Sequence, residues 1–510
     1  MDDPSAVPVL QPTVQGSSLE PASPNQHASQ SPKTLTAHTS AATIVRPATR
    51  LVRKGSFRSR TSQLDYETLD REQNSMRGFF TLFWVFMATY VTVTTYRNWR
   101  SQGILVSLRF YSVFSYDVFG LVLADSLMVL SLFVPVLAQI WLGGLGLTKM
   151  TWITILHVWQ LFWFSTCIAV ALGKDWPWIQ SGAFIVHCIA MLFKQHSYSS
   201  FNIDLRFKHD RLLELRKKVA AHKKDDDISA RRSSTSRSPT SHKSTSPTRH
   251  RILDSDVDAH LSEISGLEKE LIKPTVSFPA NITFCNYMDY LLVPTLVYEL
   301  EYPRTEKFRP MYFLSKAAAT ACTFGLLYIS YEHYIYPVLI DMPNHKFFDS
   351  VFQLLMPFMV CYLLLFYIIF ECVCNAFAEL TCFADREFYS DWWNSTTFDE
   401  FARKWNRPVH EFLLRHVYLE SISTYRLSKT NARLVTFLLS SFVHELVILV
   451  VGKRIRFYLF LAQMSQIPLI YIAHIGFVRR QKLAGNVFFW FGMLLGPPFI
   501  AVSYMREHYA

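Results

Sequence analysis

The chain has 510 residues, half of them hydrophobic and 15% aromatic, and only 18% of them are charged. A soluble domain usually carries about 25% charged residues, so this composition excludes an ordinary soluble globular protein. The net charge of +11 sits in polar tails and short loops, not among base-stacking aromatics; that excludes a nucleic-acid-binding module and suits an anionic membrane face.

Residues 1–76 read as a disordered cytosolic tail. Pro, Ser, Thr and Gln recur there without apolar periodicity, and no early apolar core marks a cleavable signal. Arg50, Arg53, Lys54, Arg58 and Arg60 precede the first span and would hold the tail in the cytosol. The first apolar stretch, near residue 78, would serve as an uncleaved signal-anchor. That favours insertion through the endoplasmic reticulum over mitochondrial import.

Nine segments approach the ~20 apolar residues a bilayer requires: 78–97, 118–141, 150–172, 180–195, 311–338, 350–381, 431–451, 456–476 and 485–505. The expected fold is all-α and polytopic, with about nine transmembrane helices. The fourth segment is short, and the sixth is too long for one straight crossing. Four spans over 77–198 give way at 199–280 to a basic, largely disordered cytosolic loop, with Lys217, Lys218, Lys223, Lys224, Arg231 and Arg232 followed by a Ser/Thr/Pro/Arg tract. An even number of spans before that loop agrees with a cytosolic N-terminus, and Arg479-Arg480-Gln481-Lys482 fits another cytosolic turn. Gly452-Lys453-Arg454-Ile455-Arg456 runs against this topology, since it would face the lumen unless its cations snorkel or the count is off by a half-helix.

Residues 281–510 carry the remaining five spans and a cytosolic segment over 383–430. Within that segment Phe398, Phe401, Trp405, Val409 and Phe412 recur at spacings of three or four, with cations on the other faces. Such a stripe suits the membrane interface, and Pro408 should kink or divide it. The eight cysteines are scattered, most in apolar segments, and Cys372-x-Cys374 alone is a poor metal signal. They are expected to be buried small hydrophobes, with no metal site and no disulfide framework.

The apolar run from Phe437 to Val451 holds His444 and Glu445 near its middle. Ionisable groups in hydrocarbon cost several kcal/mol and mark a pathway or a reacting centre more often than packing. A desolvated imidazole is neutral, the form that accepts a proton. Glu445 reads as a structural helix-pairing residue. Zincin chemistry is excluded, because neither His444-Glu445 nor His410-Glu411 is followed by a second His at the required spacing. A Gly-x-Ser-x-Gly elbow is also missing. The triplets at Asn281 and Asn394 match the glycosylation pattern but should face the cytosol unmodified.

Three motifs follow one another: Phe388-Tyr389-x-Asp391-Trp392-Trp393-Asn394, then Trp405-Asn406-x-Pro408-Val409-His410, then Ser440-x-x-x-His444-Glu445. In this order and spacing they resemble the membrane-bound O-acyltransferase family, in particular its branch of sterol O-acyltransferases and the related diacylglycerol acyltransferase. Phe193-Lys194-Gln195-His196-Ser197-Tyr198 and Pro294-Thr295-Leu296-Val297-Tyr298 are similar to the same branch, and Phe412–Tyr418 and Arg456–Phe460 look most like fungal sterol enzymes. The resemblance runs from about residue 78 to the C-terminus.

That resemblance implies that His444 is the general base and that Asn406 holds the thioester carbonyl. Ser440, four residues before His444 on one helix face, would orient the imidazole. Acyl-CoA, a co-substrate with no further cofactor, would meet Phe388, Tyr389, Asp391, Trp392, Trp393, Asn394, Trp405 and His410, with its phosphates on Arg403, Lys404, Arg407 and Arg415. A sterol would enter laterally from the endoplasmic reticulum membrane and leave as a steryl ester, by direct transfer. The branch also implies a homo-oligomer, dimer or tetramer. Two other readings stay open. Gln466 matches the diacylglycerol branch, although Pro497 departs from it, and a non-catalytic sterol-binding or transport protein would share the same apolar frame.

Overall fold

The computed structural model describes residues 57–69, 76–107, 111–235, 247–473, 475–476 and 480–509. Among them the secondary structure is helical, and extended pairing is confined to three isolated bridges. Seven helices are long and apolar enough to cross a membrane: Arg77–Gln102, Val118–Gly144, Lys149–Gly173, Pro310–Ile340, Phe347–Leu380, Lys429–Gly452 and Lys482–Glu507. Each coincides with one of the nine expected spans.

The other two expected spans differ for distinct reasons. Residues 180–195 lie inside one 58-residue helix, Trp178–Thr235. Its membrane-proximal part packs against the Lys149–Gly173 and Lys429–Gly452 helices, and it buries Gln180, Ser181, Phe184, Ile185, Cys188, Lys194 and Gln195. A helix wedged among others can carry polar groups that a lipid-facing one cannot, because protein partners satisfy them. Lys194 shows this, donating to the carbonyls of Tyr290 at 2.9 Å and Val293 at 2.7 Å. The 456–476 segment is a shorter apolar helix, Tyr458–Ala473, interrupted near Ser465.

Two stretches expected to be disordered are ordered where described. Within 199–280 the long helix runs on to Thr235, and a second helix, Pro247–Leu271, packs against it. Lys208–Glu270 (2.6 Å), Arg211–Glu263 (3.0 Å) and Arg216–Glu268 (2.6 Å) join the pair. Leu205, Leu212 and Leu271 form a small core with Phe278 and Leu300. Leu205, Leu212 and Leu215 already stood at helical spacing in the sequence, hidden among cations. Part of the N-terminal tail is also ordered: residues 57–69 form a strap, with Arg60 bridged to Asp385 and Phe57 edge-on to Tyr302 and Phe383. The rest of the expected tail, 1–56 and 70–75, lies outside the described residues.

Three helices pass through wider π turns, at Tyr331–Ile335, Tyr367–Val373 and Leu413–Leu419. Such turns are rare overall and frequent at functional sites, and the second carries the buried Glu371. All eight cysteines are free, and no His/Cys/Asp/Glu cluster suited to a metal occurs among the described residues. Asn281 is buried and donates to Asn202 at 2.7 Å and to Tyr298 at 3.1 Å, which leaves its amide no access to a glycan.

Candidate functional site

The Phe388–Asn394 motif is a hairpin of irregular chain that ends in a short 3-10 turn, Trp392–Asn394, and it is held from three sides. Backbone bonds zip it to the following helix, Phe398–Trp405: the Ser390 amide donates to the Lys404 carbonyl (2.8 Å), and the Arg407 amide donates to Phe388 (3.0 Å). Trp392 is buried among Tyr362, Phe366, Trp393, Phe401, Trp405 and Trp490, with its ring 5.0 Å from that of Trp405. The Lys482–Tyr509 helix closes the third side. Asn486 donates to the carbonyls of Trp393 and Ser395 at 3.0 and 2.9 Å, and the Trp490 indole donates to Trp393 at 3.1 Å. Gly485 permits this approach, since a Cβ there would stand 2.8 Å from the Thr396 carbonyl oxygen.

Tyr389 is buried, and its hydroxyl donates to Glu371 at 2.5 Å. Burial, then the Glu371 carboxylate, pushes that phenol well above its ordinary value, so it stays a donor. Asn394 is exposed and leans on Asp391 at 3.4 Å.

The interfacial stripe divides as Pro408 required. Phe398–Trp405 and Arg407–Phe412 are separate helices, with Asn406 between them at φ −134° and ψ 86°. Asn406 caps the second helix: its Oδ1 accepts from the Val409 amide at 3.1 Å, and its carbonyl accepts from His410 at 3.0 Å. With Oδ1 committed to the cap, the Nδ2 group is the part of the amide left to act as a donor. That is the atom a thioester carbonyl needs.

The cations expected at the acyl-CoA phosphates are not unengaged. Arg403 pairs with Asp399 (2.6 Å), Lys404 with Asp391 (3.1 Å) and Glu400 (2.8 Å), Arg407 with Glu387, and Arg415 with Glu299 (2.5 Å). Asp391 and Lys404 therefore hold the hairpin to the helix. Thr397 caps that helix by accepting from the Glu400 amide at 3.2 Å, while Glu400 reaches back to the Thr396 amide at 2.9 Å. Burial raises the Glu400 carboxyl, but Lys404 and the Thr396 amide outweigh it and hold the group below the usual carboxylate range.

His444 lies on the Lys429–Gly452 helix, and its Nδ1 is 2.8 Å from the Ser440 carbonyl oxygen. The atom of Ser440 that meets the imidazole is thus its main-chain oxygen. An Nδ1–H donating there leaves Nε2 with its lone pair outward. The residue is exposed on its helix. Val443 and Val447, on either side of it, pack into the same apolar cluster as Trp392, Trp393 and Trp405. No hydrogen bond joins His444 to Asn406 or to the hairpin among the described residues. His410 is half-buried on the helix that Asn406 caps.

Glu445 has the bonds of a structural residue. Buried, it accepts from the amides of Phe457 (2.8 Å) and Phe460 (2.9 Å) and from the Tyr504 hydroxyl (2.8 Å). It thereby satisfies the start of the Tyr458–Met464 helix, whose amides have no partner in hydrocarbon. The partners that sequence reasoning missed are Glu371, Asn486 and Trp490. Glu371 and Asn486 carried a usable signal, a polar residue within an apolar span.

The sequence pattern of the membrane-bound O-acyltransferase family matches residues 108–506. The chain is 34% identical over 453 residues to the probable sterol O-acyltransferase 1 of Schizosaccharomyces pombe, covering 85% of this chain and 82% of that protein. It is also 34% identical to sterol O-acyltransferase 2 of Candida albicans, over 88% of this chain and 78% of the other. Diacylglycerol O-acyltransferase 1-1 of Oryza sativa subsp. japonica is 32% identical over 48% of this chain and 46% of its own.

Proposed function

The chain belongs to the membrane-bound O-acyltransferase family, and from that premise we propose that it transfers a long-chain acyl group from acyl-CoA to the 3-hydroxyl of a sterol. The relatives matched across more than four-fifths of this chain are named for sterol acylation, and the diacylglycerol enzyme matches under half.

One observation carries the chemistry: the Ser440 carbonyl holds His444 Nδ1, which presents Nε2 as a base inside an apolar span. Nε2 takes the sterol hydroxyl proton as the oxygen attacks the thioester carbonyl. Asn406 Nδ2 steadies the carbonyl oxygen as charge develops on it. The carbon–sulfur bond breaks, and the coenzyme A thiolate recovers the proton from the imidazolium. Ester and free thiol leave, with no acyl-enzyme and no cofactor.

The motif hairpin and the Phe398–Phe412 helices form the acyl-CoA entrance, where Trp392, Trp393 and Trp405 line the thioester passage beside Tyr389, Asp391 and His410. Arg403, Lys404, Arg407 and Arg415 exchange their carboxylate partners for phosphate as coenzyme A arrives. The protein is a multi-pass membrane protein. Its setting is the endoplasmic reticulum, with the N-terminus cytosolic and the chain assembled as a homo-oligomer.

Microsomes from cells lacking their own acyltransferases, given labelled acyl-CoA with either a sterol or diacylglycerol, test this reading. Labelled steryl ester that disappears with His444→Ala is the expected result. Triacylglycerol alone would move the acceptor to diacylglycerol, and sterol retention without ester would make the protein a binder.

A further inference from the structure

The strap over residues 57–69 meets the hairpin and the chain around it at three depths. Outermost, the Arg60 amide donates to the Ala384 carbonyl at 3.0 Å, and the Arg386 amide donates to Arg60 at 2.9 Å. The Arg60 guanidinium also donates to Asp385 at 2.9 and 2.7 Å and to Glu387 at 2.6 Å. Deeper, the Ser62 hydroxyl donates to Glu371, and the Leu64 amide donates to the Tyr389 hydroxyl at 3.1 Å. Tyr389 donates in turn to the same Glu371 oxygen. Deepest, Asp65 accepts from Tyr312 and lies 3.5 Å from Lys316, whose Nζ is 3.7 Å from Glu371.

Ser62, Asp65, Glu371 and Tyr389 are all buried. A buried carboxylate takes whatever donors reach it, since an unsatisfied one is costly. The strap supplies one donor to Glu371 and, in the Leu64 amide, a donor to Tyr389, whose hydroxyl also lies 3.4 Å from the Ser62 hydroxyl. With the strap absent, Glu371 draws on Tyr389 and Lys316 alone, and the tyrosine at the root of the hairpin loses its fixed height. A tail lying passively on a surface does not bury a serine against a carboxylate more than 300 residues away.

We infer that the strap is a working part of the acyl-CoA entrance, in which Ser62 and Glu371 are positioning residues that set Tyr389 and, through it, the Phe388–Asn394 hairpin. The inference rests on the reading of that hairpin as the acyl-CoA site. It assigns the strap no contact with substrate.

The test uses the full-length protein in lipid nanodiscs, with Ser62→Thr, Ser62→Ala and Ser62→Asp. Binding of a non-transferable thioether analogue of palmitoyl-CoA is measured beside kcat and the KM of each substrate. Ser62→Asp sets a second carboxylate against Glu371. It is expected to weaken analogue binding and raise the acyl-CoA KM about fivefold or more, while the sterol KM stays within about twofold. Ser62→Thr, which keeps the hydroxyl, is expected to stay near wild type. If Ser62→Asp does not fold, Ser62→Ala carries the test with an expected loss of about threefold. Unchanged analogue affinity in the folded variant, or an equal rise in both KM values, overturns the strap's role. A protein that binds the analogue but esterifies no sterol would instead overturn the proposed function, because analogue binding needs no acceptor.

Discussion

The Nδ1 of His444 and the carbonyl oxygen of Ser440, one helical turn before it, are 2.8 Å apart. The imidazole is therefore aimed by the backbone of its own helix, and that backbone survives a change of side chain. Ser440→Ala is accordingly expected to keep esterification within about threefold of wild type. His444→Ala removes the base and should lose roughly 10²–10⁴-fold in kcat. Initial rates on correctly inserted protein decide the matter, and a collapse of activity in Ser440→Ala would return the orienting role to the hydroxyl.

Asn406 combines a cap and a donor in one amide, and the two can be separated. Asp is as good a cap as Asn but has no N–H to offer. Asn406→Asp should keep the melting temperature within a few degrees while kcat falls about 10²–10³-fold. Asn406→Ala should lose both. Equal activity in Asn406→Asp and wild type would leave the residue with its cap alone.

Glu445 sits next to the proposed base but serves the fold. Glu445→Ala strands the Phe457 and Phe460 amides and the Tyr504 hydroxyl, at about 1–3 kcal/mol for each buried group left unpaired. The expected outcome is poor yield and a lower melting temperature, with kcat per folded molecule within about threefold of wild type. Active-site titration alongside thermal unfolding separates these quantities. Normal stability with abolished turnover would instead place Glu445 in the chemistry.

Glu400 gives the hairpin a defined acid limit. Its carboxyl lies below the usual carboxylate range in the folded protein, so its contribution is complete above the unfolded value of about 4.3 and is lost as pH falls through the lower folded value. Wild type should therefore exceed Glu400→Gln in stability by a constant margin from about pH 8 to pH 5, and the margin should vanish in stronger acid. Melting curves of both proteins across that range provide the check. A margin that grows in acid would contradict the assigned direction.

The features legible in the sequence were those written in local spacing. Seven apolar runs became seven helices because bilayer thickness fixes their length. Pro408 divided the interfacial stripe because its ring cannot follow a continuing helix. Glu445, read as a helix-pairing residue, accepts from Phe457, Phe460 and Tyr504. What escaped the sequence were contacts between residues distant in it. The packing around residues 180–195 was not legible, because composition does not reveal which helices surround a helix. The ion pairs of Arg403, Lys404, Arg407 and Arg415 were not legible, because their carboxylate partners are fixed only by the fold. The Leu205–Leu212–Leu215 spacing was local and still escaped notice under the surrounding charge.

Arg60 and Asp385 are 325 residues apart. A ribosome adding about 5–20 residues per second makes the second roughly 16–65 s after the first. Through that interval the strap waits in water with its serine and phenylalanine uncovered, and it seats only when most of the polypeptide has been made. Any enzyme or chaperone that acts on Ser62 has this nascent window alone, since the finished molecule closes over it.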